Sequence, residues 1–333
     1  MPDKISVGDV TANRGEFKKG IIKGVELINN ASIDTPVMVM NGVEDGPILL
    51  LMSTQHGTEI QGIEVIQKVM REILSPRKLK GAVIGIPVGN PLAFFHYQYR
   101  SWVDEQDVGS VRADLPNGGA TEKLAYALWT EAWSKADLIV NIHCNTRPEA
   151  LIFQMINVGN PKTKDKLMKM SEAFGVTTMV SDRPLSEDAP PTLANLATRK
   201  GIPTMMVELI DGRWISEPST SAGVRGVLNI MKAFNMIDGD LKPQTGFLII
   251  PGVNRSYGVI RANQSGMIRF YKKPGELIMK DELFAEIYNL YGDVLEQVKM
   301  PVDGYVWATP CTGNVKAVVA GSNIGYAFIH EEK

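Results

Sequence analysis

Cysteine is nearly absent: among 333 residues only Cys144 and Cys311 carry a thiol, and they lie far apart. That excludes a disulfide framework and fits a reducing compartment. No run of about 18 apolar residues occurs, so no membrane-spanning helix is expected. The opening residues, Met1-Pro2-Asp3-Lys4-Ile5, hold no apolar segment of signal-peptide length. With the cysteine usage, this makes the expected location cytoplasmic. Long Lys/Arg runs are missing, and a net charge of -2 removes the electrostatic case for nucleic acid or an anionic membrane as partner. Internal repeats and low-complexity segments are also missing. What is present, 44% hydrophobic and 22% charged residues, is ordinary for a globular chain. The length favours two domains, or one large domain with an appendage.

Histidine is scarce too, with four in the chain, which makes their placement informative. Ser53-Thr54-Gln55-His56-Gly57-Thr58-Glu59 follows the apolar run Pro47-Ile48-Leu49-Leu50-Leu51-Met52, whose length suits a buried strand. It precedes a helix expected from Glu59 to Ile73, where Ile60, Ile63, Ile66, Val69, Met70 and Ile73 recur at helical spacing. His56 and Glu59 thus stand where a strand gives way to a helix, the edge at which open α/β sheets bind ligands. A lone His-x-x-Glu also arises as a helix cap. A second histidine raises the odds of a metal site, because the strand-like run from Ala136 to Ile142 delivers His143 at its end. A third apolar run, Pro203-Thr204-Met205-Met206-Val207, ends at Glu208. Nitrogen and oxygen donors suit Zn²⁺, and three protein ligands with an open position form the layout of a catalytic zinc site. A carboxylate desolvated beside them is suited to general-base work. The pattern points to a zinc hydrolase with His56, Glu59 and His143 as ligands and Glu208 as base. Cys144 adjoins His143, but consecutive strand side chains face opposite ways, so it reads as a small buried hydrophobe.

Gln55-His56-Gly57-Thr58-Glu59 resembles the first zinc-ligand motif of the succinylglutamate desuccinylase/aspartoacylase family, a branch of the zinc carboxypeptidase-like fold. Gly89-Asn90-Pro91-Leu92-Ala93 resembles its Asn-Pro-x-Ala turn, Asn141-Ile142-His143 its Asp-Leu-His, and Val207-Glu208-Leu209 its catalytic-glutamate strand. The resemblance implies an α/β fold with a mixed, largely parallel sheet flanked by helices, and one Zn²⁺ per chain. It implies a deacylase that hydrolyses the amide bond of a small N-acyl amino acid or N-acyl amine. A peptide-cleaving carboxypeptidase and a binding homologue without catalysis stay open as alternatives. The sequence departs from the family at Leu92, where an arginine is usual, and lacks the later Asp-Leu-Asn-Arg motif. Nearby stands Asp107-Val108-Gly109-Ser110-Val111-Arg112. Arg100, toward the oxyanion, and Arg112, toward a substrate carboxylate, are candidates to substitute. The alternative is that they are surface arginines paired with Asp104, Glu105 or Asp107. Asn90, Asn145, Arg147 and Arg213 are further candidate substrate contacts. The expected partner is a small molecule, and a homo-oligomer is compatible with the sequence.

The rest of the chain sets the domains. A β-rich lead-in is expected up to about Asn41, and an ordered functional loop from Phe94 to Asn117. Helices are expected over Thr121 to Ser134, Lys162 to Phe174, Asp188 to Lys200 and Glu217 to Phe234. After Lys242-Pro243-Gln244-Thr245-Gly246 the texture changes to short strands between Gly and Pro turns. Tyr288-Asn289-Leu290-Tyr291-Gly292 and Pro301-Val302-Asp303-Gly304-Tyr305-Val306 resemble the small β domain of the family's deacylases. The expected division is a catalytic domain over 1–242 and a small β-sandwich or barrel over 243–333.

Overall fold

The computed structural model describes residues 3–145, 149–310 and 315–331. A hairpin of β1 (Lys4–Val7) and β2 (Val10–Asn13) opens the chain. The long antiparallel strands β3 (Glu16–Glu26) and β4 (Ser32–Asn41) then start the main sheet. Into this sheet run β5 (Glu44–Ser53), β6 (Lys80–Ile86), β7 (Leu138–Cys144), the short β8 (Glu149–Ala150), β9 (Phe153–Asn157), β10 (Thr177–Ser181) and β11 (Thr204–Leu209). The α-helices are α1 (Gln61–Gln67), α2 (Pro91–Phe94), α3 (Ala120–Glu131), α4 (Lys164–Phe174), α5 (Leu193–Lys200) and α6 (Glu217–Ala233). Neighbours across the sheet are β3-β4-β6-β5-β7-β11-β9-β10. Strands β6, β5, β7 and β11 are mutually parallel, and β9 runs against β11. This is the expected mixed α/β architecture, parallel at its centre.

The central strands are covered on both faces, which is why they read as unbroken apolar runs. From β5, Leu49 and Leu51 enter one core with Val65 of α1, Phe174 of α4 and Ile230 of α6. Leu50 and Met52 point the other way, to Leu124 of α3 and Leu193 and Ala197 of α5. The second face carries the candidate site at its carboxyl end.

Past residue 252 come β12 (Val253–Arg261), β13 (Gly266–Phe270), β14 (Leu277–Ile278), β15 (Leu283–Tyr288), β16 (Val294–Lys299), β17 (Gly304–Thr309), β18 (Val315–Val318) and β19 (Asn323–Glu331). Strands β12, β19, β17 and β14 extend the main sheet, joined to β10 at Met179↔Asn254. Strands β16-β15-β13-β18 form a separate four-stranded sheet. Both sets share a core that includes Ile260, Ile268, Phe284, Ile287, Val306 and Ala327. No helix among the described residues is long and apolar enough to cross a membrane.

Three helices begin later than their periodicity suggests, α4 at Lys164 and not Lys162. Helix α5 starts at Leu193, not Asp188, because Pro190-Pro191 disfavours helical backbone in the residues before them. Thr192 then caps it, its side chain accepting from the Asn195 amide. Helix α1 starts at Gln61, not Glu59, because the preceding residues are committed to a tight loop: the Ile60 amide donates to the Gly212 carbonyl. Beyond Gln67 it continues to Ile73 as a π-helical turn.

Candidate metal centre

The loop after β5 is fixed on every side. Thr54 has φ 53°, a left-handed conformation that a β-branched residue rarely takes. Such strain costs of the order of 1–3 kcal/mol and persists only where the surroundings over-determine it. Here the Thr54 carbonyl accepts from the Asn90 amide at 3.0 Å and the Ser53 carbonyl from the Gly89 amide at 2.8 Å. The Thr54 hydroxyl donates to the Glu59 carbonyl at 3.0 Å. Asn90 is buried at the start of α2, donating from Nδ2 to the Gln55 carbonyl and accepting at Oδ1 from the Ala93 amide. Both its polar atoms are thus engaged in holding the loop.

Gly57 makes the close approach possible. A Cβ there would lie 2.3 Å from the backbone of Ala93. We therefore expect Gly57→Ala to destabilise the fold by about 1–3 kcal/mol, measured by denaturant unfolding. A wild-type midpoint would show that the loop can move aside.

This loop brings His56 and Glu59 together, and β7 supplies His143. Glu59 Oε1 lies 2.7 Å from His56 Nδ1, and Glu59 Oε2 lies 2.9 Å from His143 Nδ1. All three residues are buried and can each turn one ligand atom to a common point. Burial works to raise the Glu59 carboxyl, but the flanking histidines outweigh it and hold it below the usual carboxylate range. The carboxylate that periodicity alone leaves as a possible helix cap is instead turned to the two imidazoles.

Around the triad stand residues that the motifs did not single out. Tyr99 stacks on His56, ring centroids 3.7 Å apart. Asp107 Oδ1 lies 3.6 Å from His56 Nε2, an ion-pair distance, and Nε2 has no hydrogen-bond partner among the described residues. Burial alone would lower the His56 pKa, but Asp107 and Glu59 on its two ring nitrogens raise it to about 9. Asp107 is itself oriented, accepting from the Gly109 amide at 2.8 Å and the Ser110 hydroxyl at 2.9 Å. The sequence signal was the turn chemistry of Asp107-Val108-Gly109-Ser110 inside a loop of no period.

These surroundings fit a divalent metal on the two Nδ1 atoms and the Glu59 carboxylate. A metal on Nδ1 leaves the ring proton on Nε2, which then needs an acceptor. For His56 the carboxylate nearest that nitrogen is Asp107, at 3.6 Å. For His143 the neighbour is Asn141, whose Nδ2 lies 2.9 Å from Nε2 and 3.1 Å from Gln55 Oε1. Half a turn of the Asn141 amide, with the Gln55 amide turned to match, presents Oδ1, which is buried without a partner as placed. We expect Asp107→Asn to weaken metal retention by about 10- to 100-fold, read by chelator competition. Unchanged retention would remove Asp107 from the site.

Glu208 is half-buried and pairs in register with His143 across the parallel β11–β7 ladder. Register partners point to the same face, so the acid stands beside the triad. Cys144 points to the other face, into the core around Val207 and Leu209, and burial pushes its thiol up. Arg100 is exposed and directly follows Tyr99. Arg112 is exposed and bound twice by Asp114, at 3.0 and 2.8 Å, and by none of Asp104, Glu105 or Asp107. Asp104 instead accepts from Thr121 at the start of α3. Asn145 is buried, its amide on the Leu209 carbonyl at 2.7 Å. The Arg213 side chain is exposed, and its carbonyl accepts from the Tyr97 hydroxyl at 2.5 Å. Arg147 lies outside the described residues.

Residues 45–234, more than half of the chain, match the succinylglutamate desuccinylase/aspartoacylase catalytic domain. The chain belongs to that family. The matched region contains the triad, Glu208 and every candidate contact named above. Among characterised relatives of this family member, the N-alpha-acetyl-L-2,4-diaminobutyric acid deacetylase of Halomonas elongata is 23% identical over 257 residues, covering 77% of this chain and 74% of its own. The succinylglutamate desuccinylase/aspartoacylase structure from Rhodobacter sphaeroides superposes with a TM-score of 0.81 at 22% identity, covering 95% of this chain and 96% of that one. The product-bound ectoine utilization protein of Ruegeria pomeroyi gives 0.81 at 18% identity, covering 98% and 99%. At these identities the superpositions show a shared fold that spans both the family catalytic region and the C-terminal strands.

Proposed function

We propose that this family member is a zinc-dependent deacylase acting on the amide bond of a small N-acyl amino acid or N-acyl amine. The observation that carries the reading is the convergence of two imidazole Nδ1 atoms on one buried carboxylate, with Glu208 in register beside them. Two nitrogens and a carboxylate oxygen, with Cys144 turned away, suit Zn²⁺ better than a softer ion. Zinc held there would polarise the amide carbonyl and acidify a water.

The rest falls to the chain's own residues. Glu208 takes the proton of the attacking water on its carboxylate and hands it to the leaving nitrogen, yielding a carboxylate and an amine. Asp107 and Asn141 fix the orientation of the two imidazoles. Arg100, next to the ring that covers His56, donates to the oxygen on which negative charge develops. Asn145, Arg147 and Arg213 lie on the segments that follow His143 and Glu208, and read the substrate's polar end. Arg112 would have to leave Asp114 to join them. The name of the Halomonas relative, a deacetylase of an N-acetyl amino acid, supports the same class.

The test is metal analysis of the purified chain followed by amine release from acetyl, succinyl and formyl amino acids, with dipeptides alongside. One zinc per chain and release from an acyl amino acid are expected. A zinc-loaded chain that releases no amine across the panel would overturn the proposal.

A further inference from the structure

A cavity of about 290 Å³ lies beside the triad on the site face of the sheet. Gln55 and Asn141 line its end nearest His143, Met206 and Met155 its sheet wall, and Trp133 and Asn195 the opposite side. None of its lining side chains among the described residues carries a charge. In the next cavity along the sheet, Asp182, Arg183 and Arg255 take part in the lining. The two meet at Met155, Ile156 and Ser181.

The smaller cavity adjoins the metal centre through Asn141, whose Nδ2 lies 2.9 Å from His143 Nε2. Asn141 is 4% exposed, and its Oδ1 is without a hydrogen-bond partner. Turning the amide to suit a metal-bound His143 does not remove the deficit: Nδ2 then occupies the same place. Either way one polar atom of this amide is enclosed without a partner.

We propose that this cavity receives one half of the substrate, and that this half is an uncharged, chiefly aliphatic group. The inference rests on the deacylase reading and narrows it to substrates unlike the dicarboxylic acyl compounds for which the family is named. The physical reason is desolvation. A carboxylate or ammonium carried into a space lined by methionine, tryptophan and neutral amides finds no counter-charge, and its burial is strongly disfavoured. An alkyl group loses only contact with water there, and methionine side chains adapt to its shape.

The test compares two ligands of matched shape, 4-methylpentanamide and succinamate, which differ in a branched methyl end against a carboxylate. Binding is followed in the full chain by methionine methyl resonances. We expect 4-methylpentanamide to bind at least ten-fold more tightly and to shift Met155 and Met206. Met206→Lys and, at the cavity rim, Asn195→Lys should each narrow or reverse the preference. A preference below ten-fold, no response at Met155 and Met206, or a preference that neither lysine variant narrows would overturn the assignment. Amine release is scored separately. An intact preference without hydrolysis of any acyl compound sinks the deacylase reading alone, and hydrolysis without the preference sinks this inference alone.

Discussion

Replacing Glu208 with Gln is expected to leave the metal in place and lower kcat by about 10²-fold or more. The substitution keeps the shape of the side chain at its position beside His143 in the β11–β7 ladder. It removes the one property the proposed reaction draws on, a carboxylate able to accept a proton from water and return it to the leaving nitrogen. Since Glu208 is not one of the triad that can turn ligand atoms to a common point, zinc content should stay at the wild-type level. The measurement is kcat with the metal content of the same sample. Near wild-type turnover would assign the proton transfer to another group.

His56→Ala is expected to act differently, losing metal and turnover together. It removes one of the two nitrogens that face Glu59 and leaves too few protein donors for a tetrahedral zinc site. Chelator-treated wild type provides the control. It should match the variant in activity, and added zinc should restore only the wild type. Full zinc occupancy in the variant would reject the ligand assignment.

How legible this was in the sequence differs from one part to another. The core strands could be read because burial on both faces demands continuous apolar runs, as in Leu49-Leu50-Leu51-Met52. Placing His56, His143 and Glu208 at strand ends needed only the ends of those runs. The partners of the triad were out of reach for a different reason. Asp107 and Tyr99 sit in a loop without periodicity, and their approach to His56 depends on how that loop folds back. Contacts across 51 and 43 residues of chain leave no local pattern. The arginines show the same limit: Arg112 finds its acid two residues away at Asp114, and nothing in its neighbourhood ranks that acid above Asp104 or Asp107. The continuity of β12 with β10 was equally hidden, because a single backbone pairing, Met179↔Asn254, makes it.

The pairing of Glu208 with His143 also bears on how the chain avoids misfolding. A slip of β11 by one residue against β7 would exchange the faces of all its side chains. Val207 or Leu209 would then enter the site, and Glu208 would be driven into the apolar layer that those two residues now occupy beside Cys144. Val207 and Leu209 would pack tolerably on the site face, so greasy contacts alone penalise the error weakly. A carboxylate forced among leucine and methionine side chains penalises it heavily. The acid proposed as the base thus also proofreads strand alignment during assembly. Making β11 wholly apolar at position 208 would give up a folding safeguard along with the proposed base.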